Sequence, residues 1–329
     1  MLLSDIFIYL LPAAVLMGIF VNGATDAPGS VTGVVASGGL SFRRAALLCA
    51  VFNFLGMFLS YRFMPGVAET VSSLADFGDR AGIAVAASML SVVTFASAAW
   101  YFGIPTSESH AMLAAIAGAG ICTGSEPGYI SAFLIILLKS ALSCVSGFLA
   151  GGAVMLLMRG FGKRKGHPEA RRSLQVQITV CAASSAVHGM QDGQKFLSLL
   201  AAAGAAVGIK TGSTAAVFVC CLVMALGCFT GGRRIVEKLG YEMTGGIDRE
   251  EGLASDIGAL SMTLLSSLLA IPVSTTYMKT CSMLGTAAVS GKRADRRTSL
   301  SFVLAWVATY PVCMLLSWIF FRLIEFVAY

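Results

Sequence analysis

Ten apolar runs separated by short polar breaks take up most of the 329 residues, and a chain patterned in this way has few ways to fold. They lie near 5–38, 41–60, 81–102, 105–122, 129–158, 174–207, 212–229, 252–270, 272–290 and 299–327. Most are near the length of about 20 residues that a helix needs to cross a bilayer core. Only 12% of residues are charged and 57% are hydrophobic, whereas soluble domains carry about 25% charged residues. Too few charges remain to cover a water-facing surface. The composition excludes a soluble enzyme, a disordered chain and a nucleic-acid binder. The expected fold class is an all-α polytopic membrane protein in contact with the lipid bilayer.

Smaller features agree with that class. The opening MLLSDIFIYLLPAAVLMGIF has no basic n-region and no small-residue cleavage site, so it reads as a retained first span. Nine cysteines occur without a CxxC, which argues against a zinc or disulfide framework. Three histidines, His110, His167 and His188, are too few for a metal-dependent intramembrane enzyme, and no cofactor is expected. Trp100, Trp306 and Trp318 read as interfacial anchors.

Two runs, 5–38 and 174–207, are too long and too glycine-rich for simple helices, and each carries an acid in mid-span. Both are expected to be interrupted. The 105–122 and 272–290 runs are short and rich in small residues, and read as re-entrant or short hairpin helices. Broken backbone at membrane depth survives only around protein or a water-filled cavity, so these interruptions should point inward. Lys and Arg then set the orientation: with the N-terminus outside, 16 fall in inner loops and four (Arg62, Arg80, Lys210, Arg322) in outer positions. The positive-inside rule therefore predicts both termini outside, in the cell membrane.

The chain also repeats itself. NGATDAP at 22–28 resembles HGMQDGQ at 188–194, and GIPTSESHAM at 103–112 resembles AIPVSTTYMK at 270–279. Asp26 matches Asp192 at an offset of 166, and Ser107 matches Ser274 at an offset of 167. The expected organisation is a first repeat at 1–158, a basic cytoplasmic linker at 159–173 and a second repeat at 174–329. Five spans in each half force the second half to insert upside down. Inverted repeats with interrupted helices are a secondary-transporter signature, with the substrate site at the repeat interface.

Two constellations carry the chemistry. A carboxylate at bilayer depth costs at least about 2.5–3.5 kcal/mol, so Asp26 and Asp192 each need a cation, a proton or a donor. Gly23, Gly29, Gly189 and Gly193 would let the backbone unwind and offer carbonyls beside the acids, which suits a hard cation such as sodium or a protonated carboxyl. The plainer alternative is an Asp that caps an interhelical turn. The other constellation is Pro105-Thr106-Ser107-Glu108-Ser109 with its counterpart Pro272-Val273-Ser274-Thr275-Thr276. Proline followed by hydroxyl residues reads as a helix start, whose free N–H groups and positive dipole end attract anions. Two such ends meeting from opposite halves could replace the water shell of a tetrahedral oxyanion. Lys195 and Lys279 lie beside these motifs, either to offset anion charge or to pair with Asp192, Glu108 or Asp256, or else to snorkel to headgroups. His188 and His110 are open to a proton-relay or a packing role.

Gly-Ala-Thr-Asp-Ala-Pro, His-Gly-Met-Gln-Asp-Gly-Gln-Lys and the two hydroxyl segments together resemble the inorganic phosphate transporter (PiT) family. VFNFLG at 51–56, GGRRI at 231–235 and LAWVATYP at 304–311 are similar to further family blocks, so the resemblance covers roughly 15–325. It implies secondary uptake of inorganic phosphate, driven by a proton or sodium gradient, by a homodimer. The chain departs from the family pattern at Thr25, Gly29 and Gln191, where Asn is usual, at Glu108, where a hydroxyl is usual, and at Tyr277, where His is usual. Asn53 stands where sodium-driven members commonly have Glu, which favours protons, while Asp256 keeps the acid expected in the second half.

The resulting assignment gives substrate binding to Ser107, Ser109, Ser274, Thr275, Thr276, Gln191, Gln194 and Lys195. Ion coupling falls to Asp26, Asp192, Asn22, Asn53, Glu108 and Asp256, with sodium, if it is the coupling ion, beside Asp26 and Asp192. No residue is given a catalytic role. The alternative function is a sulfate or other oxyanion permease of the same fold; a carboxyl such as Glu108 favours phosphate, which can donate a hydrogen bond to it.

Overall fold

Backbone N–H and C=O groups have no water to pair with in lipid, so a chain this apolar must satisfy them within helices. The computed structural model describes residues 2–63, 80–124, 128–165, 170–206, 208, 212–268 and 273–328, and these contain helices and no strand. His167, Lys210 and Pro272 lie outside the described residues. The first half comprises α1 (Leu2–Thr25), a 3₁₀ turn (Ala27–Val31), α2 (Thr32–Ala36), α3 (Phe42–Phe63), α4 (Ala81–Tyr101), α5 (Glu108–Thr123) and α6 (Gly128–Lys165). The second comprises α7 (Ala170–Ala206), α8 (Thr214–Thr230), α9 (Arg233–Glu237), a π turn (Lys238–Met243), α10 (Arg249–Leu268), α11 (Thr275–Val289) and α12 (Arg296–Ala328).

Each of the ten expected runs is helical over most of its length. Among the described residues, five helical stretches are long and apolar enough to cross a membrane, six if the bent pair Thr214–Thr230 and Arg233–Met243 is one span. The short α5 and α11 begin where the hydroxyl motifs predict, with Ser107 and Ser274 in extended conformation just before them. α6 has 38 residues, about 57 Å at 1.5 Å per residue, which exceeds the hydrocarbon thickness. It runs on to Lys165, and α7 opens at Ala170, both inside the stretch expected as linker. Leu138, Leu142, Val145 and Leu149 on α6 and Leu300, Leu304, Val307 and Leu315 on α12 are exposed, as lipid-facing side chains should be.

Two expectations need correction. The 5–38 run is broken, at Asp26, but the 174–207 run is not: α7 passes through Asp192 as one 37-residue helix. Its glycines serve packing instead of unwinding. A Cβ on Gly189 would run into the Asn53 backbone, and one on Gly193 into Met57, so both glycines let α3 approach α7. Trp306 is also no interfacial anchor. It is 9% exposed, stacks on Tyr277 with ring centroids 4.2 Å apart, and donates its indole N–H to the Pro105 carbonyl at 2.8 Å.

The helices of one half pack largely against the other half. α1 lies against α8 and α7 against α3; α5 lies against α12 and α11 against α6. These are corresponding pairs under the offset seen in the sequence. The first-half pair α4–α5 likewise has its counterpart in α10–α11.

Candidate functional site

Asp26 is the residue at which α1 stops, and its amide donates to the Asn22 carbonyl at 3.0 Å. Pro28 lies in the 3₁₀ turn that follows, so the backbone changes direction just past the acid. The Asp26 side chain makes no cap hydrogen bond and is 3% exposed. Turn-capping therefore does not account for it. Glu108, the first residue of α5, is packed against Asp26 and accepts from the Thr25 hydroxyl.

Asp192 sits mid-helix on α7 and is fully partnered. Lys195 Nζ donates to Asp192 Oδ1 at 2.6 Å and to Ser109 Oγ at 2.6 Å. Asn22 Nδ2 donates to Asp192 Oδ2 at 3.0 Å. His188 Nε2 lies 3.4 Å from the same oxygen, one helical turn away, and its Nδ1 is 2.7 Å from Asn53 Oδ1. Asn53 in turn donates to the Cys49 carbonyl at 3.0 Å. Thus the second-half acid draws in Asn22 of α1, Ser109 of α5 and, through His188, Asn53 of α3. All of these side chains except Ser109 and Lys195 are buried.

Buried oxygens without a hydrogen-bond partner include Asn22 Oδ1, Asp26 Oδ1 and Glu108 Oε2. Ligand atoms of Asp26, His188 and Asp192 lie within 4.8 Å of one another. Unpartnered oxygens beside two neighbouring carboxyl groups fit either a proton or a small hard cation such as sodium.

A pocket adjoins this cluster. The broken segment and α7 contribute Asp26, Gly29, Ser30 and His188; α10 and α11 contribute Thr263, Thr275, Thr276 and Lys279. Of the expected anion-binding hydroxyls, Thr275 and Thr276 line it, and Thr276 Oγ1 is buried without a partner, as are Thr106 Oγ1 and Ser107 Oγ. Ser274 is used differently: its hydroxyl accepts from the Tyr277 amide at 3.2 Å and caps α11. Gln191 turns toward α10, where it donates to the Ser267 hydroxyl and, at 3.4 Å, to the Thr263 carbonyl. Gln194 is buried with its Oε1 unpartnered.

Asp256 belongs to a separate constellation. It pairs with Lys279, accepts from Gln177 Nε2 at 3.0 Å, and lies 3.5 Å from Cys181 Sγ. The two lysines thus divide between the acids, Lys195 with Asp192 and Lys279 with Asp256. Sequence reasoning passed over Ser30 and Thr263, which line the pocket. Ser30 could have been found from its place four residues after Asp26 on the broken segment; Thr263 has no local signal.

The sequence profile described as the phosphate transporter family matches residues 22–176 and 170–317. A probable low-affinity inorganic phosphate transporter of Bacillus subtilis (strain 168) is 29% identical over 308 residues, covering 89% of this chain and 90% of that protein. One of the same description from Rhizobium meliloti (strain 1021) is 29% identical over 309 residues, covering 91% of this chain and 90% of its own. A solved structure described as the sodium-dependent phosphate transporter superposes with a TM-score of 0.79 at 17% identity, covering 97% of this chain and 99% of that one. At that identity the likeness speaks for the fold.

Proposed function

The chain belongs to the phosphate transporter family, and from that premise we propose that it imports inorganic phosphate across the cell membrane by alternating access, coupled to protons. The observation that carries this reading is the pair of helix starts at α5 and α11. They hold the buried, unpartnered hydroxyls of Thr106, Ser107 and Thr276 beside a carboxyl pair. Helix N-termini with free hydroxyl donors suit a tetrahedral oxyanion.

Coupling follows from charge. Asp26 and Glu108 lie side by side, and two carboxylates in a low-dielectric site repel each other and any entering anion. A proton shared between them removes that repulsion. Phosphate then enters against Thr275 and Thr276, and closure of one repeat over the other opens the site to the cytoplasm. The lysine already bonded to Asp192 supports protons over sodium there, since the ammonium takes the place a cation would need. In this reading the halves at 1–158 and 174–329 are inverted repeats, both termini face outside, and the carrier works as a homodimer.

The test is radiolabelled phosphate uptake into proteoliposomes, with an inward proton gradient in sodium-free buffer and excess unlabelled sulfate in a parallel arm. The expected result is uptake that needs the proton gradient and resists sulfate. Competition by sulfate would move the substrate to another oxyanion. Uptake only after sodium is added would assign the unpartnered oxygens of Asn22, Asp26 and Glu108 to that ion.

A further inference from the structure

The ion pair of Lys279 with Asp256 is separate from the hydrogen-bonded cluster around Asp192. Its side chains are 6% and 0% exposed, so both charges have left water. A buried pair of this kind is often no more stable than packed hydrophobic residues of similar volume. The molecule contains its own comparison. The corresponding helix pair in the first half, α4 with α5, packs without such a bridge. No charged residue occurs in 81–101, and the position matching Lys279 in the hairpin motif is Met112, itself buried.

The pair is also built as a site. Asp256 is held by Gln177 at 3.0 Å, and a Cβ at Gly33, on the segment broken at Asp26, would strike its carboxylate. Lys279 reaches Ser255 Oγ at 3.3 Å and at the same time lines the pocket with Thr275, Thr276, Asp26 and His188. A cation fixed at a pocket wall that also carries a free threonine hydroxyl is placed to meet an anion.

We propose that Lys279 is a built-in cation of the carrier. Its ammonium neutralises Asp256 in the empty pocket and supplies, when phosphate enters past Thr275 and Thr276, positive charge that a co-bound cation would otherwise have to bring. This rests on the reading of the pocket as a phosphate site. No covalent step is involved. The ammonium shares its donors between Asp256 and the entering oxyanion, which tightens binding without an extra ion.

Three variants of the full chain test it: Lys279→Met, which copies the first-half residue, Lys279→Arg, and Lys279→Met combined with Asp256→Asn. In proteoliposomes, Lys279→Met is expected to raise the phosphate KM at least tenfold in sodium-free buffer. Added sodium should lower that KM, because Asp256 now offers an uncompensated carboxylate. Lys279→Arg should keep a KM near the parent's with no sodium response, and the double variant should keep the high KM and lose the response. A parent-like KM and no sodium effect in Lys279→Met would overturn the proposal. A second readout stands apart from transport: radiolabelled sodium should bind the detergent-purified Lys279→Met protein and not the parent or the double variant. If the parent moves no phosphate, the phosphate reading fails, while this sodium measurement still decides whether Lys279 occupies a cation position. Equal sodium binding by parent and variant would refute it.

Discussion

At the scale of single residues, the site is a set of charges at membrane depth, each with a different answer to the cost of burial. Asp192 is answered by Lys195 and Asn22 and Asp256 by Lys279 and Gln177, whereas Asp26 forms no ion pair among the described residues. Asp26→Asn and Asp192→Asn should both abolish gradient-driven uptake while the protein still inserts and elutes as a folded species in detergent. Normal gradient-driven uptake by both would remove the acids from coupling. Lys195→Met leaves Asp192 buried without its ammonium partner, which should cost about 3–5 kcal/mol of stability. Adding Asp192→Asn to that variant should return most of the lost stability without restoring transport, as read by thermal unfolding in detergent. A double variant as unstable as the single one would show that Lys195 matters for packing and not for charge.

At the scale of elements, lipid offers little drive for helices to associate, so close approach of backbones does the work. Gly56 on α3 faces the Ala186 carbonyl of α7, and Gly227 on α8 faces the Phe20 carbonyl of α1; a Cβ at either would overlap that oxygen. These are the same contact made once by each half. Gly56→Ala or Gly227→Ala should destabilise the protein by about 1–3 kcal/mol through forced separation of the helices. Gly160→Ala, on a stretch of α6 with nothing within 4 Å, is the matching control and should be neutral or slightly stabilising. Equal thermal midpoints for all three would mean that the crossings have slack. The same crossings explain why α7 stays whole where its glycines suggested a break: Gly189 and Gly193 face a neighbour, not an opening.

At the scale of the whole molecule, the halves are interlocked. α1 packs on α8, α3 on α7, α5 on α12 and α6 on α11, so the main interhelical surfaces of each half are supplied by the other. Residues 1–165 or 170–329 produced alone should therefore fail to yield a monodisperse species, and the two produced together should recover phosphate uptake. A well-folded single half would contradict this. The interlock also brings Asp26 of the first half together with His188, Thr275, Thr276 and Lys279 of the second around one pocket.

Much of this was legible from local pattern. The ten runs, the helix starts at Ser107 and Ser274 and the break at Asp26 all depend on neighbours within a few turns. Hydropathy, capping and proline act at that range, so sequence alone determines where the helices lie and which polar residues are carried to depth. It does not determine which buried charge meets which. Lys195 could have served Glu108, and Lys279 could have served Asp192; Gln191 and Ser274 read as anion ligands, yet one bonds to α10 and the other caps its own helix. Those choices depend on contacts such as Asn22 with Asp192, 170 positions apart. Only the packed tertiary structure decides them, because a buried polar atom takes whichever partner the helix crossings bring within hydrogen-bond reach.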